Sequence, residues 1–559
     1  MCEQTLREEL PSEDHHTPIA HLEPGKPPPE HYYAENLLAV VRTVLRRYGD
    51  LLDSAERCFG ARILALPAPA QRLYARLIGR RGPLIREDRL VYAEVGDLQT
   101  ALRCLADAGL IERCPAAPGE VLCGLMRRPE LEALFAPELA HAPPGGSKAE
   151  RVEWVAARTP GPFLRWRLRR AFAWLAVASS DHLDLYRLLF FGDRRQDLTT
   201  FVMRDLGVHR YEPIELCRET RLFADRASLT RYLVLTAIHD EVAALGQHPD
   251  METCAEQVQE LVARLGDEID NRTLERRRSR VLNQLGRNLE RAGANQWALC
   301  CFGLSTLAPA RERRMRILHR LGDRGGVERL RREVLSDPET TMEADFAARF
   351  ARRGRRPAVP TTEVELDAVP GMPIEQYAAG LCTASGGTAW HLENNLPMAI
   401  FALAYWSWMF APVEGAFLHP FQVGPRDLFW PDFFAARANM CRDPLTGPLK
   451  ARLKRAARAK AGTANRLFSW QRCPLDVIEA VLEAMPEPDL RVLLEIVRDD
   501  LAGKRSGFPD LTVVYGPGRY EFVEVKGPTD QLQGHQHLWI QALCAGGLPV
   551  RVLRFRLKR

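Results

Sequence analysis

The stretch GFPDLTVVYGPGRYEFVEVKGP, residues 507–528, contains two runs of β-branched and aromatic residues separated by a Gly516-Pro-Gly518 turn. Such runs, joined by a turn that contains glycine, predict a β-hairpin. Side chains alternate between the two faces of a strand, so Glu524 and Lys526 project from one face, about 7 Å apart. Asp510 begins the partner strand, and we expect it to approach both.

Two carboxylates and one amine that meet at a strand bend, as expected here, suit hydrolysis of a phosphodiester. Carboxylate oxygens are ligands that Mg²⁺ and Mn²⁺ prefer, and a bound ion lowers the pKa of a coordinated water. The sequence therefore predicts a site for one or two Mg²⁺ or Mn²⁺ ions, with Asp510, Glu524 and Lys526 as catalytic residues.

Alternating charges on an exposed strand are the ordinary alternative explanation of the Glu524–Lys526 pair. Here, however, the pair lies in an apolar run, where a charge without a partner is costly. Lysine is also rare in this chain, since only 8 of its 77 basic residues are lysines. Both observations favour the catalytic interpretation, and residues 509–526 have the spacing Pro-Asp-x13-Glu-x-Lys.

Length and composition indicate a soluble protein of three or four domains. The chain has 559 residues, of which 46 % are hydrophobic and 27 % charged, and its net charge is +5. The 13 cysteines form no CxxC pair, which favours a reducing compartment over a disulfide framework. The longest apolar run, residues 398–413, is shorter than the ~20 residues that span a bilayer. We expect a cytoplasmic protein without a membrane partner, associated with the nucleoid if it is bacterial.

Four segments differ in their sequence patterns, and together they predict a multidomain, mainly α protein. Residues 1–90 are the first segment and are predicted to be a helical region. It begins with a polar arm of about 30 residues, and the rest has the apolar spacing of helices. Residues 91–160 predict a helix that leads into a winged-helix wing, followed by a helical hairpin. Residues 161–372 are helical and rich in arginine, and residues 373–559 contain the hairpin within an α/β domain with a small mixed sheet.

The helical hairpin in the second segment resembles a SAP-type DNA-binding element. Its second helix starts at Ser147, which has capping-box spacing to Glu150. Lys148 and Arg151 on that helix are candidate DNA contacts. An ordinary surface hairpin is an equally good interpretation.

One window of the third segment has the spacing of a tetratricopeptide repeat. Leu285, Gly286 and Leu289 are followed by small and aromatic residues at the offsets that let two helices cross closely. We therefore predict tetratricopeptide-like helical pairs. The arginine clusters of this region either bind phosphates or form solvated faces.

The fourth segment resembles a known nuclease family in three motifs. Residues 507–511, residues 524–528 and Gln536-x2-Trp539 resemble the virus-type replication–repair nuclease domain of the PD-(D/E)xK superfamily. With Trp390-His-Leu-Glu393 upstream, and with the order of the preceding segments, the chain resembles the bacterial form of the Fanconi-associated nuclease family. Vertebrate members carry a ubiquitin-binding zinc finger, which is not evident here because residues 1–80 contain only Cys2 and Cys58.

The resemblance implies a role for each site residue. Glu393, Asp510, Glu524 and the backbone carbonyl of Val525 would bind the metal. Lys526 would be the catalytic lysine, and Gln536 an accessory residue behind the site. From its position alone, Glu393 is better explained as an acid in the first turn of an apolar helix, residues 394–410, and the resemblance reverses this preference. The neighbouring His391 is interpreted as structural or as a contact to substrate.

The resemblance also implies the activity, which is a 5′-flap endonuclease with 5′-to-3′ exonuclease activity in interstrand-crosslink repair. The DNA partner would be branched or flapped, and protein partners are unknown. A Holliday-junction or restriction-type nuclease of the same superfamily is one alternative. A non-catalytic tetratricopeptide scaffold on DNA is the other.

A basic segment, residues 450–460, carries six positive charges and no acid. On a helix, Lys450, Lys454 and Arg458 lie on one face. We predict that this face contacts DNA phosphates, and the alternative is an ordinary solvated helix.

Overall fold

The computed structural model describes residues 31–80, 82–178, 180–194, 210–245, 255–350, 356–367 and 371–558. The predicted amino-terminal arm and Cys2 lie outside these residues. The chain divides into two compact units, Met1–Val208 and His209–Arg559. The finer division into four domains stays a prediction.

Unit 1 is mainly helical and contains a small antiparallel sheet with the strand order β1-β3-β2. The strands are β1 (Ile85–Arg86), β2 (Ile111–Arg113) and β3 (Trp174–Val177). The helices are α1 (Tyr32–Tyr48), α2 (Ser54–Leu64), α3 (Ala68–Leu77), α4 (Leu98–Asp107), α5 (Gly119–Gly124), α6 (Arg128–Leu134), α7 (Ala136–Leu139), α8 (Lys148–Arg158), α9 (Gly161–Ala171) and α10 (Ser180–Phe191).

The predicted short helix is α4, and a strand follows it; that this strand is a winged-helix wing stays a prediction. The Asp97 carboxylate caps α4 by accepting hydrogen bonds from the amides of Gln99 and Thr100. Gly109 ends the helical segment in the left-handed region, at φ +63°, and β2 follows directly. The central strand of the sheet, β3, comes from beyond residue 160, so this sheet crosses the predicted segment boundary.

The predicted capping box of the helical hairpin is confirmed at α8. The Ser147 side chain accepts a hydrogen bond from the Glu150 amide, and the Glu150 carboxylate accepts one from the Ser147 amide. This reciprocal pair satisfies two amides at the start of the helix that would otherwise have no acceptor.

Unit 2 begins with helices and ends with an α/β domain. Its helices are α11 (Arg226–Leu245), α12 (Ala255–Leu265), α13 (Arg272–Arg291), α14 (Asn295–Gly303), α15 (Ala310–Arg320), α16 (Arg324–Ser336), α17 (Thr341–Arg349), α18 (Ile374–Ala384), α19 (Asn395–Ala404), α20 (Trp406–Met409), α21 (Leu449–Lys460), α22 (Leu475–Ala484), α23 (Glu487–Asp499) and α24 (Gly534–Ala545). Among the described residues, no helix is both long enough and apolar enough to span a membrane.

The close crossing predicted for a tetratricopeptide pair occurs between α13 and α14. A Cβ atom on Gly286 would lie 2.9 Å from the ring of Phe302, so the two helices approach at a position where only glycine leaves room. Leu285, Leu289 and Phe302 are buried around this contact. The small and apolar residues at the repeat offsets therefore have the packing role that their spacing predicts.

The sheet of unit 2 is mixed and has five strands in the order β4-β8-β7-β6-β5. These strands are β4 (Thr361–Leu366), β5 (Thr388–His391), β6 (Leu511–Gly516), β7 (Arg519–Lys526) and β8 (Val550–Leu557). β8 pairs in parallel with β4 and β7, while β6 pairs antiparallel with β7 and β5. The predicted hairpin is β6–β7, and the predicted small mixed sheet is confirmed.

Both faces of β7 are buried, against different groups of residues. Val523 and Val525 belong to an apolar cluster that includes residues of α18. Tyr520 and Phe522 belong to the larger cluster that includes residues of α19 and α21–α24. Glu524 and Lys526 continue the row of Tyr520 and Phe522 by the two-residue period of the strand. Their charged groups therefore lie at the edge of the larger core.

Candidate active site

Glu524 and Lys526 form an ion pair at the carboxyl end of β7. The Lys526 Nζ atom lies 2.7 Å from Glu524 Oε1, and the two side chains are 10 % and 0 % exposed. Apart from this ion pair, neither Glu524 oxygen has a partner among the described residues. A buried carboxylate with unsatisfied oxygens is costly unless a cation compensates it.

Asp510 joins the three chain segments of the site. Its Oδ2 atom accepts a hydrogen bond of 2.8 Å from the amide of Val525, between the two residues of the ion pair. Its backbone carbonyl accepts hydrogen bonds from the amides of Leu392 and Glu393, at 3.1 and 3.2 Å. The segment before β6 is thereby fixed against both β7 and the end of β5.

The loop that carries Asp510 depends on Gly507. This glycine has φ +93°, and a Cβ atom there would lie 2.5 Å from His535 and 2.8 Å from the amide nitrogen of Gln536. Phe508 donates its amide hydrogen to the Asn394 side chain at 3.0 Å. The Gly-Phe-Pro-Asp motif therefore packs closely against the start of α24 and the start of α19.

Glu393 does not lie in the first turn of a helix, so that alternative explanation of this residue is wrong. The helix α19 begins at Asn395 and ends at Ala404, and a separate short helix, α20, follows. Glu393 has φ +46°, a left-handed conformation that is uncommon for a residue with a side chain. In this conformation its amide donates a hydrogen bond to the Asp510 carbonyl, and such backbone strain concentrates at functional sites.

His391, Glu393 and Asp510 lie close enough to bind one metal ion. One potential ligand atom from each residue lies within 4.8 Å of those of the other two. His391 Nε2 lies 3.1 Å from Glu393 Oε1. The sequence interpretation of His391 as a structural or substrate-side residue did not include a possible role in metal binding, which this geometry allows. The available clue was its spacing of only two residues from Glu393, at the end of the strand β5.

Burial shifts the pKa values of the two central carboxyl groups. The pKa of Glu524 is raised to about 7, chiefly by burial and next by the nearby Asp510 charge, while Lys526 opposes the shift. Burial also raises the pKa of Asp510, against the lowering effects of the Val525 amide and Lys526. A divalent cation between these groups would favour their ionised forms, so their environment and chemistry suit a metal site.

The other predicted site residues have structural contacts. The Gln536 side chain accepts a hydrogen bond of 2.9 Å from the Gln533 amide and so caps α24. The amide of Val525 donates a hydrogen bond to the Asp510 carboxylate. Metal binding by the Val525 carbonyl stays a prediction. In unit 1, Lys148 donates to the Gly124 carbonyl and Arg151 pairs with Glu132 at 3.2 Å. Their contact with DNA also stays a prediction.

The basic face of α21 is paired with acids of α22. Lys454 forms an ion pair with Glu483, Arg458 pairs with Glu479 at 2.5 Å, and the Lys450 ammonium donates to the Glu483 carbonyl at 2.8 Å. Exposed ion pairs are worth about 0–1 kcal/mol, so a DNA phosphate can replace such a carboxylate at small cost. Phosphate binding by this face stays a prediction.

Divalent-ion affinity is expected to rise with pH because of Glu524. Its raised pKa of about 7 means that an incoming ion must displace a proton at pH 6 but not at pH 8. Displacement of one proton makes the apparent affinity about tenfold weaker at pH 6 than at pH 8. Calorimetric titration with Mn²⁺ at the two pH values measures this, with Glu524→Gln as the control without the titrating group. Equal affinities in the wild type would contradict it.

Two family models match the chain. The model described as the FAN1 HTH domain matches residues 31–112, which span α1 to β2. The model described as the VRR-NUC domain matches residues 447–556, which include Asp510, Glu524 and Lys526.

Matches to whole proteins cover nearly the entire chain. A Fanconi-associated nuclease 1 homolog from Pseudomonas aeruginosa is 32 % identical over 97 % of this chain and 99 % of its own length. A crystal structure of paFAN1 bound to DNA with a 2-nucleotide 5′ flap and a gap has a TM-score of 0.83 and 30 % identity, covering 96 % of this chain and 100 % of that chain. A second paFAN1 structure, with a 1-nucleotide 5′ flap and a gap, has a TM-score of 0.81 and 30 % identity, covering 95 % and 100 %.

Proposed function

The chain belongs to the Fanconi-associated nuclease family and is a DNA nuclease, and we propose that it cuts 5′-flap DNA near the junction. The observation that supports this most strongly is the buried ion pair of Glu524 and Lys526. The Asp510 carboxylate lies next to this pair, because it accepts a hydrogen bond from the amide of Val525, the residue between the two. The substrate is supported by the 5′-flap DNA in the two similar crystal structures. We further propose 5′-to-3′ exonuclease activity, a role in interstrand-crosslink repair and a cytoplasmic, nucleoid-associated location.

We propose that Glu393, Asp510 and Glu524 hold Mg²⁺ or Mn²⁺, with His391 beside Glu393. When bound, such an ion supplies charge neutralisation at the phosphate and a water of lowered pKa. Asp510 keeps its orientation through the Val525 amide, and Glu524 keeps its position through the core around β7. Glu393 and Asp510 already lie within metal-binding distance of each other, and in the proposed site Glu524 joins them.

Lys526 is the proposed catalytic lysine. The Lys526 side chain is 10 % exposed, and its ammonium forms an ion pair with Glu524 at the edge of the site. From there it donates hydrogen bonds to the attacking water or to a phosphate oxygen, where negative charge develops during in-line attack. The products are a 5′-phosphate and a 3′-hydroxyl.

Cleavage of matched labelled substrates tests the proposed substrate. With Mg²⁺ or Mn²⁺, the protein is expected to cut a 5′-flap duplex near its junction faster than a 3′ flap or a symmetric four-way junction of the same arm sequences. Preferred, symmetric cutting of the four-way junction would instead indicate a Holliday-junction nuclease. Absence of metal-dependent cleavage on every substrate would indicate a scaffold.

Replacing His391 by alanine is expected to weaken the response to metal more than the maximal rate. His391 contacts Glu393 at 3.1 Å and lies within metal-binding distance of Asp510. Losing a ligand or its supporting partner typically costs about 10–100-fold in metal affinity or activity. Titrating Mn²⁺ in the cleavage assay should therefore shift the half-maximal concentration upward by about tenfold or more. An unchanged titration curve would exclude His391 from the metal site.

A further inference from the structure

We propose that the exposed face of α9 in unit 1 binds unpaired bases of DNA by stacking them on two aromatic rings. This aromatic–arginine patch consists of Phe163, Arg165, Trp166 and Arg170. The proposal rests on the proposed function in one respect, which is that branched DNA is the ligand. It adds a site for single-stranded DNA in unit 1, whereas the proposed nuclease centre belongs to unit 2.

The two rings are exceptional in the chain. Phe163 and Trp166 are 48 % and 53 % exposed, and in the described part of the sequence no other phenylalanine or tryptophan is classed as exposed. They lie one turn apart on α9, with ring centroids 5.6 Å apart and planes inclined by 19°. Two large rings exposed side by side in this way mark a binding surface more often than chance exposure.

The patch is fixed on the domain by the opposite face of the same helix. Leu164 and Leu168 are 2 % and 0 % exposed and belong to an apolar cluster that includes Leu122 of α5 and Trp174 of β3. Gly119 lets α9 approach closely, because a Cβ atom there would lie 2.3 Å from the Leu164 side chain. The rings therefore project from a helix whose position and rotation are set by the core.

The charge around the rings suits a polyanion. Residues 161–171 contain four arginines and no acid. Arg170 lies over the Trp166 ring, 5.1 Å from its centroid, and Arg167 is paired with Glu138. Within the described residues, no acidic group pairs with Arg165 or Arg170. Two guanidinium groups thus remain available beside two rings, which is the combination that binds single-stranded nucleic acid.

The rings select unpaired bases over duplex DNA. A duplex presents its phosphates to the solvent but keeps the faces of its bases stacked inside, whereas an unpaired nucleotide presents a free π-face. A membrane surface is the less suitable partner, because the aliphatic side chains of α9 are buried in the domain core. Branched DNA supplies both the phosphates for the arginines and the free bases for the rings.

Binding of two DNA molecules to the full-length protein without divalent cations tests the proposal. One is a duplex closed at both ends by non-nucleotide linkers, and the other is the same duplex with an unpaired thymidine tail. The Phe163→Gln/Trp166→Gln variant is expected to lose about tenfold or more in affinity for the tailed DNA. Its affinity for the closed duplex should change by less than about twofold. Equal losses on both DNAs, or no loss on either, would overturn the proposal.

Two further variants separate stacking from charge and from general surface effects. Arg165→Gln/Arg170→Gln is expected to weaken binding of both DNAs and to reduce the salt slope by about two. Val91→Gln, at a residue that is 84 % exposed in the same unit, is the matched control and should change neither affinity. If the wild type binds anionic vesicles through the rings while the ring variant binds tailed DNA normally, the patch is a lipid surface and the proposal fails.

Photo-crosslinking of the wild type makes the test independent of any substitution. A tail that contains 5-iodouridine is expected to crosslink to Phe163 or Trp166, and crosslinks confined to other parts of the chain would overturn the assignment. Failure of this inference and failure of the proposed function are distinguishable. If the inference fails, the ring variant has the same preference for tailed over closed DNA as the wild type. If the proposed function fails, the wild type shows no metal-dependent cleavage of flap DNA.

Discussion

Replacing Lys526 by methionine is expected to lower the rate of 5′-flap cleavage by about 10³-fold. Methionine has a similar length and apolar character but no charge, so it fills the largely buried site without donating hydrogen bonds. The loss has two causes, since a positioned donor to the developing charge is typically worth about 10²–10³ in rate and the buried Glu524 also loses its partner. Single-turnover cleavage at saturating metal measures the effect.

The control for this experiment is Lys558→Met, which removes a lysine whose side chain is 55 % exposed and paired with Asp367 on the surface. It should cleave flap DNA at the wild-type rate. The Lys526→Met variant should still bind flap DNA within about twofold of wild type, because one ammonium contributes little to a polyelectrolyte interaction. A cleavage rate near wild type would remove Lys526 from the mechanism.

Replacing Glu524 by glutamine is expected to abolish cleavage and, at alkaline pH, to stabilise the metal-free protein. The carboxylate is fully buried, and its pKa is raised to about 7 in the folded chain from the ordinary value of 4.5. Its ionisation therefore costs about 3 kcal/mol of folding stability above pH 7, which a neutral amide avoids. Loss of this proposed metal ligand is expected to reduce flap cleavage by about 10³-fold.

The pH dependence of this stabilisation has a definite sign. The folded pKa of Glu524 is above its unfolded value, so its contribution is fully favourable below pH 4.5 and is lost as the pH rises through 7. The melting temperature of Glu524→Gln relative to wild type should accordingly increase from pH 5 to pH 8 in the presence of a chelator. Mn²⁺ at pH 8 should raise the melting temperature of the wild type but not of the variant. If the melting temperature of Glu524→Gln relative to wild type fell as the pH rises, the raised pKa of Glu524 would be refuted.

Local patterns were enough to predict the hairpin and the spacing of its charged residues. A strand period of two places Glu524 next to Lys526, and the turn at Gly516-Pro-Gly518 returns the chain so that Asp510 reaches the amide of Val525. The capping box at Ser147 and the close helix crossing at Gly286 were predictable for the same reason. Each depends on residues close in sequence or on one small residue at a fixed offset.

Features that depend on distant partners were not predictable from one sequence. The amide of Glu393, a residue in the left-handed conformation, donates a hydrogen bond to the carbonyl of Asp510, which is more than 100 residues away in the sequence. The apolar run after Asn394 does not form one helix through Phe410, since it is interrupted at Tyr405. Beyond the interruption, Arg437 donates a hydrogen bond of 2.7 Å to the Trp408 carbonyl from a distant part of the chain.

Charged surface residues show the same limit of sequence analysis. The predicted phosphate contacts Lys454 and Arg458 have acidic partners on α22, and no pattern within residues 450–460 indicates those partners. Conversely, Phe163 and Trp166 are spaced like core residues of an amphipathic helix, yet they are exposed. Which face of a helix is covered depends on the packing of the whole domain.

Cleavage of a labelled 5′-flap duplex as a function of divalent-ion concentration, for the wild type and Asp510→Asn side by side, tests the central claim most directly. Asparagine keeps an oxygen that can accept the Val525 amide hydrogen but removes the negative charge. The proposed metal site predicts no cleavage by the wild type in chelator, saturable cleavage with Mg²⁺ or Mn²⁺, and cleavage by Asp510→Asn lower by about 10³-fold while flap DNA is still bound. Cleavage without a divalent ion, or cleavage by Asp510→Asn at the wild-type rate, would contradict it.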